Sequence, residues 1–378
     1  MSPPAKIAYR KPIARMSAKR QRNSPLNVWI KLAASISCAL VPLIAADSAD
    51  AGRDLAGVRE LAVPSAERGD DLAVTVWYPA EAGGTPVTLG ESIFFRGTSA
   101  MKDAPVSKGP FPLILLSHGA GLGGTPQAMS WLATPLAKAG YVVAAPTHPG
   151  NGGRVRSALD TVKLWLRPAD ITATLDAMAA STVFKDSLEP GNIGVLGLSM
   201  GGSTALSLAG ARIDPALLAG YCDTFERNAS LCGWIKASGV DLHAIDMSLA
   251  GRDNTDDRIG FAMAIDPAPV DVLEQVSFSQ ITIPTEIVNL GREGEIPVST
   301  LSSGIARQIA NGRYATVADA SHYSMFGECK PGAAGIAESE DIGEPICTDG
   351  TGDSRRDIHA QLIRIVIAAF DKALKGGN

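Results

Sequence analysis

The sequence predicts an α/β protein with a mostly parallel central sheet and helices on both faces. Three observations carry this. Residues 113–116 and 141–145 are continuous apolar runs, and strand 192–196 is apolar after Asn192, as expected of strands buried on both faces rather than half-wet alternating ones. Helix-length segments separate the runs, and parallel strands need such crossovers. One run passes directly into Gly197-Leu198-Ser199-Met200-Gly201, a glycine-flanked serine between a strand and a helix.

Residues 1–51 stand apart in charge. They hold eight Lys/Arg and two Asp/Glu of the chain's 34 and 39, which leaves 26 against 37, or −11, on residues 52–378. That acidic body lacks the concentrated basic face that nucleic-acid binding requires. Within the N-terminal part, a basic stretch at 6–31 precedes an apolar, uncharged run at 32–46 and Ala49-Asp50-Ala51, a small-x-small cleavage site. This order predicts a signal peptide over 1–51, and the apolar run is short for a membrane span. The expected mature protein is periplasmic or secreted, with no stable membrane insertion after the signal is removed. Setting Cys38 aside leaves Cys222, Cys232, Cys329 and Cys347. Their clustering favours Cys222–Cys232 and Cys329–Cys347 over the other pairings, and an oxidising compartment permits both. There is no CxxC spacing to suggest a metal site, so none is expected.

Along residues 52–378, stretches 58–64 and 72–79 read as strands, the second alternating around Val74, Val76 and Tyr78. The Gly-, Pro- and Ser-rich stretch 82–109 reads as a loop. Strand 113–116 leads to a helix at 127–138, ended by Gly140, and then to strand 141–145. Residues 154–180 have helical periodicity interrupted near Pro168. Strand 192–196 enters the serine turn and a helix of small residues. Residues 214–257 break the alternation and are expected to form a small inserted cap segment over one end of the sheet. Strands at 259–265 and Thr285–Leu290, a helix at 306–309, strand 314–317 and a last helix at 358–374 complete the order.

The chemistry centres on Ser199. A strand–Gly-x-Ser-x-Gly–helix arrangement is a nucleophile elbow, in which a strained turn exposes the serine at the carboxyl edge of the sheet. Glycine is needed two positions either side, because larger side chains would meet the neighbouring strand and helix. The N–H of Met200, at the helix start, and that of Ala120, in the loop Ser117-His118-Gly119-Ala120-Gly121, are the expected oxyanion donors. His118 precedes the serine in the chain and is read as ordering this loop. Gly119–Gly124 also satisfies GxGxxG, yet the next strand ends Ala145-Pro146-Thr147-His148 without the acidic residue a dinucleotide site needs. No cofactor is expected.

His243, His322 and His359 follow Ser199. His359 sits in a charged helix, where a solvated or capping role is expected, and His243 lies in the insertion. His322, directly after the last strand, is the expected general base. The acid that orients it is expected to be Asp266, with Glu293 and Glu295 on the loop after the following strand left open; as a plain helix cap, Asp266 would have no such role.

The motif order Val76-Trp77-Tyr78-Pro79, Leu116-Ser117-His118-Gly119, Gly140-Tyr141-Val142-Val143-Ala144-Ala145-Pro146, Gly197-Leu198-Ser199-Met200-Gly201-Gly202, Asp266-Pro267 and Ala320-Ser321-His322 resembles the dienelactone-hydrolase-like branch of the α/β-hydrolases, including plasma-type platelet-activating-factor acetylhydrolases. The resemblance spans nearly all of 57–373. It implies the α/β-hydrolase fold, a serine hydrolase activity and an acid after the strand that follows the nucleophile helix, at Asp266. The chain departs from true dienelactone hydrolases in having Ser199 where they carry cysteine, and it lacks their Gly-x-x-Asp after the later strand. The expected activity is hydrolysis of a small-molecule or lipid-like carboxylic ester through a Ser199–His322–Asp266 triad. An amidase, or a catalytically silent binding protein of the same fold, are the alternatives.

Overall fold

The computed structural model describes residues 55–152, 156–224, 226–350 and 352–376, so the expected signal segment lies outside the described residues. Ten strands among them form one sheet: β1 (Ala56–Ser65), β2 (Asp70–Pro79), β3 (Thr85–Leu89), β4 (Thr98–Lys102), β5 (Phe111–Ser117), β6 (Val142–Pro146), β7 (Leu188–Leu198), β8 (Phe261–Ile265), β9 (Thr285–Leu290) and β10 (Gly312–Val317). Their spatial order is β10-β9-β8-β7-β5-β6-β2-β1-β4-β3. Pairings from β10 through β6 are all parallel, and β2 joins β6 antiparallel to begin a mixed margin.

The continuous apolar runs are the central strands, and they bury both faces. Along β5, Leu113 and Leu115 enter the core beneath α3 (Leu166–Ala180) and α4 (Met200–Ala209). Ile114 and Leu116 enter the opposite core, beneath α1 (Ser130–Lys138) and α9 (Arg355–Phe370). The strand that follows β5 in the chain, β6, lies on one side of it, and β7 lies on the other. Consecutive crossovers therefore leave β5 in opposite directions. The carboxyl ends of β5 and β7, at this reversal, are where open α/β sheets place their ligand crevice.

Two expectations about elements need correction. Stretch 82–109 is not a plain loop: β3 and β4 pair antiparallel from Thr85↔Lys102 to Leu89↔Thr98, and β4 runs beside β1. Pro86 hides the strand pattern in the sequence, and it is tolerated because β3 is the edge of the sheet. The helix expected at 306–309 forms earlier, as α7 (Ser303–Ala306). Buried Asn289 draws the chain in just before it, accepting the Ser302 N–H on Oδ1 at 2.9 Å.

Within 214–257 the chain forms α5 (Pro215–Ala219) and α6 (Ala229–Ala237). Leu218, Tyr221, Cys232, Ile235 and Leu242 join the α3/α4-side core, so apolar burial fixes this segment to the body. Cys222–Cys232 and Cys329–Cys347 are both disulfide-bonded. The remaining helices are short: α2 (Ala158–Val162) and α8 (Ala333–Ser339). Among the described residues, no helix is long and apolar enough to cross a membrane.

Candidate active site

β5 and β7 end side by side, with Ser117 opposite Gly197, so the loops that follow them share this edge of the sheet. The elbow glycines are there for steric reasons. A Cβ on Gly197 would overlap the Gly201 carbonyl, and one on Gly201 would overlap the Ser117 carbonyl of the neighbouring strand. Ser199 takes φ 53°, a left-handed conformation that costs a serine energy and is stored at functional sites. Neighbouring backbone holds it there: the Ser199 N–H donates to the Ile265 carbonyl and the Ala268 N–H to the Ser199 carbonyl, each at 3.0 Å.

Ser199 Oγ lies 3.1 Å from His322 Nε2, and His322 Nδ1 lies 2.6 Å from Asp266 Oδ2. The structure thus brings together the three residues read from the sequence. Asp266 directly follows β8 at φ 44° and is fully buried. Its Oδ1 accepts from the Leu290 N–H at 2.9 Å and from Asn289 Nδ2 at 2.8 Å. No helix starts at Asp266, so its carboxylate is not engaged in capping one. Glu293 and Glu295 are exposed on the loop after β9.

Asn289 is a residue that sequence reasoning missed. It also donates to the Thr300 carbonyl and accepts from Tyr314 Oη, so each of its polar atoms is engaged. The available signal was a lone amide inside the apolar run Ile287-Val288-Asn289-Leu290.

On the other side of the serine, Gly119 packs against it, since a Cβ there would stand 3.3 Å from Ser199 Cβ. Among the described residues, the N–H groups of Ala120 and Met200 meet no acceptor. Met200 opens α4, where an unpaired N–H is intrinsic to the helix start. The GxGxxG-like stretch thus forms this loop and a short turn over Gly121–Gly123.

His322 opens a single turn, His322–Met325, that outside groups hold in place. Trp131 Nε1 donates to the Met325 carbonyl, and His359 Nε2 lies 2.9 Å from the Ser324 carbonyl. His359 was expected to be solvated or capping. It is instead 7% exposed and stacks on Trp131 with ring centroids 3.8 Å apart. Burial pulls its pKa down to about 4, so the neutral ring donates from Nε2 at ordinary pH. His243 is exposed, paired with Asp223, and takes no part in the site.

Tyr323, directly after His322, belongs to an apolar group and its ring lies 6.1 Å from that of Phe326. Leu122, Tyr323 and Phe326 pack onto a small cluster around Phe94 and Phe95. The Arg156 guanidinium lies 5.3 Å over the ring of Trp234 in α6, and Ser230 of the same helix hydrogen-bonds Glu344.

No family model matches the chain, and no curated protein matches it. Among solved structures, a ferulic acid esterase from Streptomyces cinnamoneus aligns over 86% of this chain and 91% of its own, with a TM-score of 0.54 and 19% identity. A dienelactone hydrolase from Anabaena variabilis ATCC 29413 aligns over 84% of this chain and 99% of its own, with a TM-score of 0.43 and 13% identity. At 19% identity the likeness to the first of these is one of fold. With its sheet order, its strand–serine–helix elbow and this likeness, the chain has the α/β-hydrolase fold.

Proposed function

We propose that this protein is an exported serine hydrolase that cleaves carboxylic esters through an acyl-enzyme. The observation that carries the reading is the unbroken Ser199–His322–Asp266 line, at 3.1 and 2.6 Å, ending on a carboxylate whose other oxygen is already held by two N–H donors.

In the first half-reaction His322 Nε2 takes the proton from Ser199 Oγ as that oxygen attacks the ester carbonyl. Asp266 accepts the Nδ1–H, keeping the correct tautomer and stabilising the imidazolium. The N–H groups of Ala120 and Met200 receive the negative oxygen of the tetrahedral intermediate. Collapse breaks the bond to the alcohol, which leaves with the proton from His322. Water then enters, gives a proton to His322 and attacks the acyl group, and the second collapse returns the proton to Ser199 as the acid departs. The residues alone supply this chemistry, without a cofactor. The apolar group of Leu122, Tyr323 and Phe326 supports an ester with a hydrophobic part. Two disulfides support an oxidising destination.

A fluorophosphonate should label one peptide, the one containing Ser199. A chromogenic panel of short to long acyl esters, with a ferulate ester and a matched amide as separate arms, should show ester turnover that Ser199→Ala reduces by several orders of magnitude. A folded Ser199→Ala variant with near wild-type turnover would end this reading.

A further inference from the structure

Behind the loop that carries Ala120 lies a polar cluster that the Ser199 chemistry does not use. Ser117 Oγ is 2.9 Å from His148 Nε2, and His148 Nδ1 is 2.8 Å from Asp170 Oδ2. Asp170 in turn takes two bonds from Arg68, at 2.9 and 2.7 Å. The order Ser–His–Asp repeats that of the site, but Ser117, His148 and Asp170 are all fully buried, so no substrate reaches them.

Every proton in the cluster can be placed. Burial holds both His148 and His118 well below the usual imidazole range, so each ring is neutral with one N–H. Asp170, paired with Arg68, accepts from His148 Nδ1, which leaves Nε2 to accept the Ser117 hydroxyl. The backbone N–H of His148 donates to His118 Nε2 at 3.1 Å. The single proton of His118 is therefore on Nδ1, and it is donated to the Gly119 carbonyl at 2.8 Å.

That last bond reaches the reacting centre through the peptide plane. The Gly119–Ala120 bond is trans, so the Gly119 C=O and the Ala120 N–H point in opposite directions. Fixing one fixes the other. A lock matters here because position 119 is a glycine pressed against Ser199, where an added Cβ would stand 3.3 Å from Ser199 Cβ, and a glycine-flanked peptide turns over easily. Arg167 also borders the cluster: it donates to the His118 carbonyl, to Ser117 Oγ at 3.4 Å, to Asn151 Oδ1 at 2.9 Å and to Thr204 Oγ1 of α4 at 3.1 Å.

We propose that Ser117, His118, His148 and Asp170 form a buried positioning relay whose output is the direction of the Ala120 N–H. The proposal rests on the hydrolase reading above, in which that N–H receives the oxyanion.

The test uses the full protein with p-nitrophenyl acetate, a fluorophosphonate and a trifluoromethyl ketone, whose hemiketal oxygen takes the oxyanion position. His118→Phe keeps a ring but removes the donor. His118→Asn places an amide N–H near the position of Nδ1, whereas His118→Gln places it near that of Nε2. His118→Phe and His118→Gln should lose about 10²- to 10³-fold in kcat, the scale for one lost oxyanion donor, with KM within about threefold. Ketone affinity should fall by a similar factor, and His118→Asn should regain at least about tenfold of each. Ser117→Ala, a small change that leaves the donor on His118, should lose about tenfold. The Asn-against-Gln comparison carries the test if His118→Phe does not fold. Equal activity of the Asn and Gln variants, or losses confined to KM, would overturn the relay, and a silent Ser117→Ala would remove its upstream half. A wild-type Ser199 that resists the fluorophosphonate would overturn the hydrolase reading and the relay together, whereas a reactive Ser199 with indifferent His118 variants would overturn the relay alone.

Discussion

Asp266 accepts on both carboxylate oxygens, and that makes its replacement by asparagine informative. Oδ1 faces the Leu290 N–H and Asn289 Nδ2, so an amide at this position must keep its oxygen there. Its NH₂ then faces His322 Nδ1 and forces the imidazole proton onto Nε2, where the ring can no longer accept from Ser199. Asn also tolerates the left-handed backbone at φ 44°, so the fold should survive. Asp266→Asn is expected to lose about 10⁴-fold in kcat, the scale seen when a serine-protease triad is given the wrong tautomer. Glu293→Gln and Glu295→Gln, on exposed positions, should leave kcat close to wild type. Parallel kinetics on the three variants decide this, and a collapse in either glutamate variant with an active Asp266→Asn would reverse the assignment.

At the scale of elements, the turn bearing His322 is too short to be rigid alone and takes its position from neighbours. Ser321 Oγ donates to the Thr348 carbonyl, and Ser324 Oγ donates to Asp349 at 2.6 Å. Arg355, at the start of α9, ties Asp349 to the Phe326 and Gly327 carbonyls. Thr348 and Asp349 directly follow Cys347, whose bond to Cys329 closes a loop of sequence separation 18. Opening it frees the segment that braces the base. In the chain-entropy model such a loop contributes about 3 kcal/mol. Replacing Cys329 and Cys347 by serine should therefore lower the melting temperature and also cut kcat by about tenfold or more, because small misplacements of catalytic groups are costly. The Cys222/Cys232 pair, in the 214–257 segment, should affect stability with a smaller effect on kcat. Differential scanning calorimetry beside ester kinetics checks both, and an unchanged kcat in the first double variant would refute the bracing role.

Across the whole molecule, three buried histidines are held neutral: His118, His148 and His359, each by desolvation first. For His359 the folded value is about 4 against the ordinary 6.5. In that interval the unfolded chain binds a proton that the folded chain refuses, so acidification favours unfolding. The contribution is fully present above pH 6.5 and is lost as pH falls towards 4, amounting to about 3 kcal/mol for this residue. His118 and His148 act in the same direction. Urea unfolding at pH 7.5 and pH 5 should show a marked loss of stability in the wild type. His359→Phe, which keeps a ring against Trp131, should start less stable at pH 7.5 but lose about 2 kcal/mol less over the same change. A pH dependence identical in the two proteins would show that His359 does not carry this linkage.

Some of this was legible in the chain order alone. Apolar runs long enough to be strands, the glycines around Ser199 and the position of His322 after the last strand are local patterns, and each follows from what a short stretch of backbone can do. The two disulfide pairings were legible for a similar reason, because their partners are near in sequence. Other features depended on contacts between distant segments. Pro86 concealed β3, which is permitted only because the assembled sheet leaves it at an edge. His359 looked solvent-facing until Trp131 stacked on it from another helix. Asp266 was preferred over Glu293 and Glu295 from the sequence but not separated from them by contacts; the register of β8 beside β9 brings Asn289 and the Leu290 N–H to the Asp266 carboxylate. Local sequence determined which groups were available and roughly at which strand end. Only the tertiary structure decided which of them meet, because hydrogen-bond partners and burial are set by segments far apart in the chain.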